Sequence, residues 1–227
     1  TLKPDGTCWN FNLREDRRLA REMISNQEPA WLIGSPPCTA FSIWNKQINY
    51  NKMPADKVQL AIEEGTHHMR CVCKLYRRQL SLGRHFLHEH PARALSWELP
   101  EVESLCKLPG VIVTVADQCA YGLYTPSEID GSPQLAQKPT RFMTSSVFMA
   151  RRLQHRCDKS HVHQQLVGGR CMEATYYPLP LIRAILRGMH DNSVAKAKKE
   201  EEIGTDAEKL RTHFKECHQS DLSLIHI

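Results

Sequence analysis

The sequence predicts an α/β fold, because short apolar strands alternate with amphipathic helices along the chain. The clearest strand is the β-branched run VIVTVA at 111–116, and the clearest helix is the apolar spacing across 56–82. With 227 residues, 41% of them apolar, the chain has enough material for one domain with its own core.

Each predicted element has a local cause. Residues 14–27 carry alternating charges around apolar residues at i, i+4 spacing, which predicts a short amphipathic helix. Residues 30–34 and 86–91 are predicted strands, and the composition of 111–116 predicts a third strand, buried in a parallel sheet. Gly83 is placed to cap the long helix.

The remaining segments are predicted to be loops, one more strand and one more helix. Residues 45–54 and 125–137 are rich in polar, Pro or Gly residues and are predicted surface loops, the first of them mobile. Residues 141–149 are expected to add strand structure, and 179–189 have a helical apolar face.

The domain organisation follows from composition. Residues 1–190 are predicted to form the domain, and the charge-rich 191–221 a charged tail or linker, by default a solvated helix or linker. Residues 222–227 resemble the translation of a sequencing adapter, so we expect them to be an artefact and not part of the natural chain. Since Thr1 is not an initiator methionine, we expect the natural chain to continue upstream.

Composition also limits location and partners. Nine cysteines without a framework spacing predict reduced thiols and an intracellular protein, with a nuclear location compatible. No run of 18 apolar residues could cross a membrane, so no membrane partner is expected. A net charge of +5 permits a phosphate-rich partner.

The segment LIGSPPCTAFS at 32–42 is the most informative feature of the sequence. A predicted strand ends there in two prolines and Cys38, and the prolines restrict the backbone that holds the thiol. A cysteine at the carboxyl end of an α/β strand lies where such folds place their chemistry. A packed thiol in an ordinary turn remains the alternative.

Two further clusters of polar residues lie at or near the ends of predicted strands. Glu89 lies between two histidines before Pro91, and Lys138 and Arg141 flank Pro139-Thr140. In a parallel sheet the strand ends share one rim, so these groups could converge with Cys38. A thiolate can act as a nucleophile, a protonated carboxyl can donate to a ring nitrogen, and cations can hold a phosphate or a polar base edge.

The motifs, in this order, resemble those of the cytosine carbon-5 DNA methyltransferases, most closely the compact phage-type members, over residues 30–190. They are Gly34-Ser35-Pro36-Pro37-Cys38-Thr39-Ala40-Phe41-Ser42, Glu89-His90-Pro91 with Ser96-Trp97, Asp117-Gln118-Cys119-Ala120-Tyr121-Gly122 and Gln137-Lys138-Pro139-Thr140-Arg141.

The resemblance implies a Rossmann-like sheet that uses S-adenosylmethionine and flips a DNA cytosine into a pocket. Cys38 would attack carbon 6 of the ring, and Glu89 would contact N3 and the exocyclic amine. Arg141, or else Lys138, would orient the base or its backbone. The expected substrate-binding residues are Pro37, Ser42, Lys138 and Trp97.

Three departures from the family pattern matter. His90 occupies the position of an Asn that braces the cysteine loop in the family, and the basic motif of a Gln with two spaced arginines is only partly met. The glycine-rich cofactor loop, which precedes the cysteine motif in the family, is not visible in this chain, so the methyltransferase core is interpreted as incomplete at its N-terminus. Residues 1–227 alone are therefore predicted to be inactive. Because similar stretches occur in mobile-element polyproteins, the alternative is an inactive methylase-fold module that binds nucleic acid.

Zinc binding is the main competing interpretation, although no metal ligand is assigned. One Cys/His cluster lies in the predicted helix 56–82, where His67 and Cys71 share a face of the helix but Cys73 does not. In the second cluster, the spacing between Cys157 and His161 suits two ligands of one zinc ion. The alternative for both clusters is ordinary helical and loop residues. The first consists of His67, His68, Cys71 and Cys73, and the second of Cys157, His161, His163 and Cys171.

Overall fold

The computed structural model describes residues 3–166 and 173–221, of which residues 173 and 212–221 are described through their backbone alone. The strands are β1 (Trp31–Gly34), β2 (His85–Pro91), β3 (Ile112–Asp117), β4 (Tyr124–Pro126), β5 (Pro133–Leu135) and β6 (Pro139–Thr144). The helices are α1 (Arg14–Gln27), α2 (Ala55–Ser81), α3 (Pro100–Cys106), α4 (Val147–Arg152) and α5 (Leu179–Asp221).

The main sheet has four strands in the order β1-β2-β6-β3. β1 is parallel to β2, whereas β6 is antiparallel to both of its neighbours. β1, β2 and β3 therefore run in one direction, and β6 begins at the rim where they end, with Thr140 opposite Pro91 and Pro139 opposite Asp117. The α/β class is confirmed, with a mixed rather than a parallel sheet.

Helices cover both faces of this sheet, and the two cores differ in their partners. On one face α2 and α3 pack against the fully buried Phe86 and Met143. On the other face α4 and α5 pack against the equally buried Phe142 and Leu87. Because side chains alternate along a strand, neighbouring residues of β2 and β6 serve opposite cores.

Several sequence predictions are confirmed. α1 spans the predicted residues 14–27, and α2 lies within one residue of the predicted 56–82 at each end. Gly83 follows α2 with φ of +66°, a left-handed conformation that glycine adopts without steric cost. β1 and β2 also lie at the predicted places.

A strand, β3, is present within one residue of the predicted 111–116, but the prediction that it is buried in a parallel sheet is wrong. Within the described residues β3 pairs with β6 alone, in antiparallel orientation, and its exposed face includes Val113. Its β-branched run reflects strand propensity rather than burial on both faces.

The predicted loops contain regular structure. Residues 45–54 form a π-helical turn at Asn45–Asn49 and a 3₁₀ turn at Tyr50–Lys52. Asn45 Nδ2 donates to the Thr39 carbonyl at 2.8 Å. A polar side chain that is typical of loops therefore binds this segment to the cysteine loop. Residues 125–137 include most of the antiparallel β4–β5 pair.

In the described C-terminal part, α4 replaces the end of the predicted strand 141–149, and α5 extends through 191–221, where a solvated helix or linker is predicted. β6 ends at Thr144, and Ser146 then caps α4 by accepting a hydrogen bond from the Met149 amide at 3.3 Å. α5 continues from the predicted 179–189 to Asp221, and nearly all the side chains of residues 193–211 are exposed. Among the described residues, no helix is both long and apolar enough to cross a membrane.

Candidate functional site

The cysteine loop leaves β1 through a close contact. A Cβ on Gly34 would lie 2.1 Å from Tyr76 Oη, so only glycine fits between β1 and α2. Pro36 is then buried, Cys38 is half-buried, and a 3₁₀ turn begins with the Phe41 amide donating to the Cys38 carbonyl at 3.0 Å. Packing at the strand end and the turn thus fix the backbone on both sides of the thiol.

His90 braces this loop from the end of β2. Its Nε2 donates to the Pro36 carbonyl at 3.2 Å, and its Nδ1 accepts from Ser96 Oγ at 2.5 Å. Burial lowers the pKa of His90, so the ring stays neutral and one nitrogen donates while the other accepts. The position where the family has Asn therefore still provides a hydrogen bond to the loop.

The Glu89 carboxyl is the buried polar group of the site, with 5% of the residue exposed. Oε2 accepts from Ser35 Oγ at 2.5 Å and from Tyr177 Oη at 2.9 Å. Burial raises the pKa of Tyr177, so its hydroxyl remains a donor. Oε1 has no hydrogen-bond partner among the described residues.

Lys138 lies next to Tyr177, whose hydroxyl binds this carboxyl. Its ammonium donates to the Ala174 carbonyl at 2.8 Å and lies 5.9 Å from the centre of the Tyr177 ring. The Lys138 carbonyl accepts from the Gln118 amide at 3.1 Å, which ties the start of β6 to the end of β3. Tyr177 therefore links the cation to the carboxyl.

Arg141 and Trp97 lie on the other face of the sheet. Arg141 is opposite His90 in the β2–β6 register, and its guanidinium lies 4.9 Å from the Trp97 ring centre. The Trp97 indole donates to the Pro91 carbonyl at 2.9 Å. The structure does not bring these two predicted residues to the Glu89 carboxyl, since side chains alternate along a strand.

Two further residues predicted to bind substrate, Ser42 and Pro37, lie in different surroundings within the cysteine loop. Ser42 Oγ accepts from the Asn45 amide at 3.5 Å, at the start of the π-helical turn. Pro37 lines a cleft of about 740 Å³ together with Thr39 and with His68 of α2. The cleft thus adjoins the cysteine loop on its α2 side.

Sequence reasoning missed the two hydroxyls that bind Glu89. Ser35 belongs to the cysteine motif, and its alignment with Glu89 follows from the parallel register in which Gly34 pairs with His88. Tyr177 gave no signal, because it is 88 residues from Glu89 in the chain.

The described residues fit S-adenosylmethionine only in part. The cleft beside Pro37 has room for a nucleoside-sized group. However, the turns that follow β1, β2 and β3 contain proline or Gln118-Cys119 rather than a glycine-rich sequence. The described residues do not assemble the cofactor loop that the resemblance requires.

The first predicted zinc cluster is not assembled. His67, His68, Cys71 and Cys73 form no group of converging ligand atoms within the part of the chain that is described. Instead, His68 packs on Phe11, with ring centres 4.8 Å apart, and burial raises the pKa of Cys73 to about 12.

Comparisons with models of protein families, with curated proteins and with solved structures found no match to this chain.

Proposed function

We propose that this chain is a cytosine carbon-5 DNA methyltransferase-like domain that holds a flipped cytosine against Glu89 and attacks it with Cys38. One observation carries the proposal: a buried carboxyl, one oxygen of which has no hydrogen-bond partner in the described part of the chain, is hydrogen-bonded to the loop that presents a half-buried thiol. Ser35 and His90 make the two connections, so the carboxyl and the thiol are held by one network.

The hydrogen bonds of Glu89 suit the edge of a cytosine. Oε2 already accepts from two hydroxyls, so a proton taken up by the carboxyl resides on Oε1. From Oε1 it can be donated to the ring nitrogen N3, and in the ionised form Oε1 can accept from the exocyclic amine. A buried carboxyl oxygen without a partner costs about 1–3 kcal/mol, which a bound base would recover.

The proposed reaction uses these groups in sequence. The Cys38 thiolate forms a bond to carbon 6, and the electrons of the 5,6 double bond move into the bond between carbons 4 and 5. The electrons of the double bond between carbon 4 and N3 move onto N3, which takes the proton from Glu89 Oε1. S-adenosylmethionine is the methyl donor that the resemblance implies for carbon 5. Without methyl transfer the same steps reverse: N3 returns its proton to Glu89, and the 5,6 double bond reforms as Cys38 leaves as thiolate.

A trapping experiment tests the thiol and the carboxyl without a methyl donor. The probe is a DNA duplex in which 2-pyrimidinone replaces one cytosine, because this base is more electrophilic at carbon 6 and can capture a thiol directly. We expect a one-to-one covalent adduct by intact mass spectrometry. Cys38→Ser should abolish it, and Glu89→Gln should slow it by about 100-fold, as expected for loss of a general acid.

Cys8→Ser and Cys106→Ser are the matched controls, because these cysteines are exposed and half-buried respectively. Both variants should form the adduct as the wild type does. No adduct, or an adduct that persists in Cys38→Ser, would contradict the proposal.

The inactive nucleic-acid-binding module is the second candidate. It is favoured by the position of Arg141 on the face opposite Glu89 and by the lack of a glycine-rich turn in the described strands. It predicts salt-dependent DNA binding that is unchanged by Cys38→Ser and by S-adenosylmethionine. Binding measured across a salt series, together with the trapping result, distinguishes the two candidates.

A further inference from the structure

Four candidate metal ligands converge at the carboxyl end of β3. Cys119 lies in the 3₁₀ turn that follows this strand, and Cys157, His161 and His163 lie in the irregular segment after α4. One ligand atom from each residue lies within 4.8 Å of all the others. The sequence pattern had grouped the last three with Cys171, which lies outside the described residues.

The distances match those around a tetrahedral zinc ion. Cys157 Sγ lies 3.6 Å from His161 Nε2 and 3.3 Å from His163 Nε2, and His163 Nε2 lies 3.3 Å from Cys119 Sγ. With Zn–S near 2.3 Å and Zn–N near 2.0 Å, a tetrahedral ion separates sulfur and nitrogen ligands by about 3.5 Å. A single ion can therefore contact all four atoms with little movement.

The backbone is built to hold this arrangement. The Asp117 carboxylate, at the end of β3, accepts from the Cys157 amide at 3.0 Å and from Arg156 Nε at 2.8 Å. Cys157 is thereby fixed close to Cys119, two residues beyond Asp117 in the chain. The Lys159 amide then donates to Cys157 Sγ at 3.2 Å, a contact that stabilises a thiolate.

The turn between Cys157 and His161 allows both to reach the same point. Asp158 Oδ1 accepts from the amide and the hydroxyl of Ser160. Lys159 has φ of +61°, a left-handed conformation that is uncommon for a residue with a side chain. The chain therefore reverses within four residues.

We propose that Cys119, Cys157, His161 and His163 bind one Zn²⁺ ion as a structural site. Two thiolates and two imidazoles in a tetrahedral arrangement are a zinc ligand set, and four protein ligands leave no open position for catalysis. The ion fixes the irregular segment against the end of β3. The same segment bridges Ala136 through Gln164, whose amide donates to the Leu135 carbonyl at 2.8 Å, so the ion also supports the β4–β5 pair.

Metal analysis tests the site independently of any methyltransferase activity. The full chain is purified without a polyhistidine tag or chelator, under reducing conditions, and its zinc is measured by mass spectrometry. We expect about one zinc per chain. Cys119→Ser and Cys157→Ser should weaken zinc binding by more than about 100-fold, the upper range for loss of a residue that merely supports a ligand.

Two cysteine variants are the controls. Cys171→Ser and Cys106→Ser should retain the zinc, since neither residue belongs to the proposed site. Zinc that is lost in Cys171→Ser and retained in Cys119→Ser would overturn this ligand set, and so would a wild-type chain that takes up no stoichiometric zinc.

Cobalt substitution keeps the test decisive where the variants fail to fold. The wild-type chain, stripped of metal and given Co²⁺, should show the strong visible absorption of a tetrahedral ion and a thiolate charge-transfer band. Weak octahedral absorption without that band would overturn the proposal.

Discussion

Two cysteine regions occupy the same rim of the sheet and are built in opposite ways. At the end of β1, the half-buried Cys38 lies in a loop tied to Glu89, whose Oε1 has no partner among the described residues. At the end of β3, Cys119 and Cys157 share close contacts with His163, so the polar atoms face one another. The first region leaves a polar atom for a ligand, whereas the second encloses a point between its own side chains.

The difference shows that a cysteine takes its role from the groups around it. A carboxyl and hydroxyls can recognise a base and move a proton, which suits a nucleophile. Two imidazoles at ligand distance from two sulfurs suit a metal instead. Both regions depend on β6, which runs between β2 and β3.

The largest expected effect is a loss of stability that disrupts both cysteine regions together. Phe142 of β6 is fully buried and lies opposite Glu89 on one side and Thr114 on the other. Phe142→Ala should lower the free energy of unfolding by about 3–5 kcal/mol, because it leaves a cavity in the core. Urea unfolding followed by circular dichroism measures the loss.

Val113→Ala is the control for this prediction, because Val113 is 41% exposed on β3. It should cost less than about 1 kcal/mol. Equal losses for the two variants would show that the sheet is not packed as described.

The next effect is a pH dependence that arises on the Cys38 side. His88 is fully buried beside Tyr76, and burial together with the neighbouring His90 lowers the pKa of His88 to about 3. The unfolded chain binds a proton near pH 6.5 and the folded chain does not. The contribution of His88 to the free energy of unfolding is therefore fully present above about pH 6.5. It decreases as the pH falls toward 3, by at most about 1.4 kcal/mol per pH unit.

Urea unfolding at pH 7.5 and 5.5 measures this dependence. His88 alone should account for a loss of about 1.4 kcal/mol over that interval. His88→Gln should reduce the loss, and His190→Gln, which alters an exposed histidine, should leave it unchanged. A loss that is the same in His88→Gln and the wild type would contradict the assignment.

A smaller effect tests how closely β1 approaches α2. The added Cβ in Gly34→Ala would meet Tyr76 Oη at 2.1 Å, so we expect a cost of about 1–3 kcal/mol from overpacking. Combining it with Tyr76→Phe should recover at least about 0.5 kcal/mol of that cost, because the hydroxyl is the nearest atom. A double-mutant cycle by urea unfolding measures the coupling.

Gly204→Ala is the matched control, since nothing lies within 4 Å of an added Cβ in that part of α5. It should stabilise the helix by about 0.5–1 kcal/mol. Destabilisation there comparable to that of Gly34→Ala would remove the steric explanation.

The smallest effect separates the two cations of the β6 motif. Arg141→Met should cost about 0.5–1 kcal/mol of stability through loss of its contact with Trp97, and should leave the rate of adduct formation unchanged. Lys138→Met should slow adduct formation, because Lys138 lies next to Tyr177 on the Glu89 side. A slower rate in Arg141→Met alone would reverse this assignment.

Local sequence patterns predicted the elements whose signals are local. The charge and apolar spacing of α1 and α2 and the apolar runs of β1 and β2 gave correct positions. The β4–β5 pair was missed because its strands are three residues long, too short for a period of two to show. The pairing of β3 was also missed, since strand propensity does not reveal the direction of a neighbour.

The same limit applies to the sites. The cysteine motif and Glu89 could be selected from the chain, because their residue types lie at or near the ends of predicted strands. Tyr177 and Cys119 could not, since each reaches its site from a distant part of the chain. The order of the motifs predicts that Arg141 and Glu89 belong to one site. Only the register of β6 shows that the two side chains lie on opposite faces of the sheet.

The sequence by itself determined the α/β class, the ends of α1 and α2, and the presence of a thiol after one strand and of a carboxyl near the end of the neighbouring strand. Those features depend on local apolar period, turn residues and residue chemistry. The tertiary structure decided which hydroxyls bind Glu89, that His90 braces the cysteine loop, and that Cys119 joins Cys157 and the two histidines. These contacts are set by the insertion of antiparallel β6 and by strand register, which no local pattern encodes.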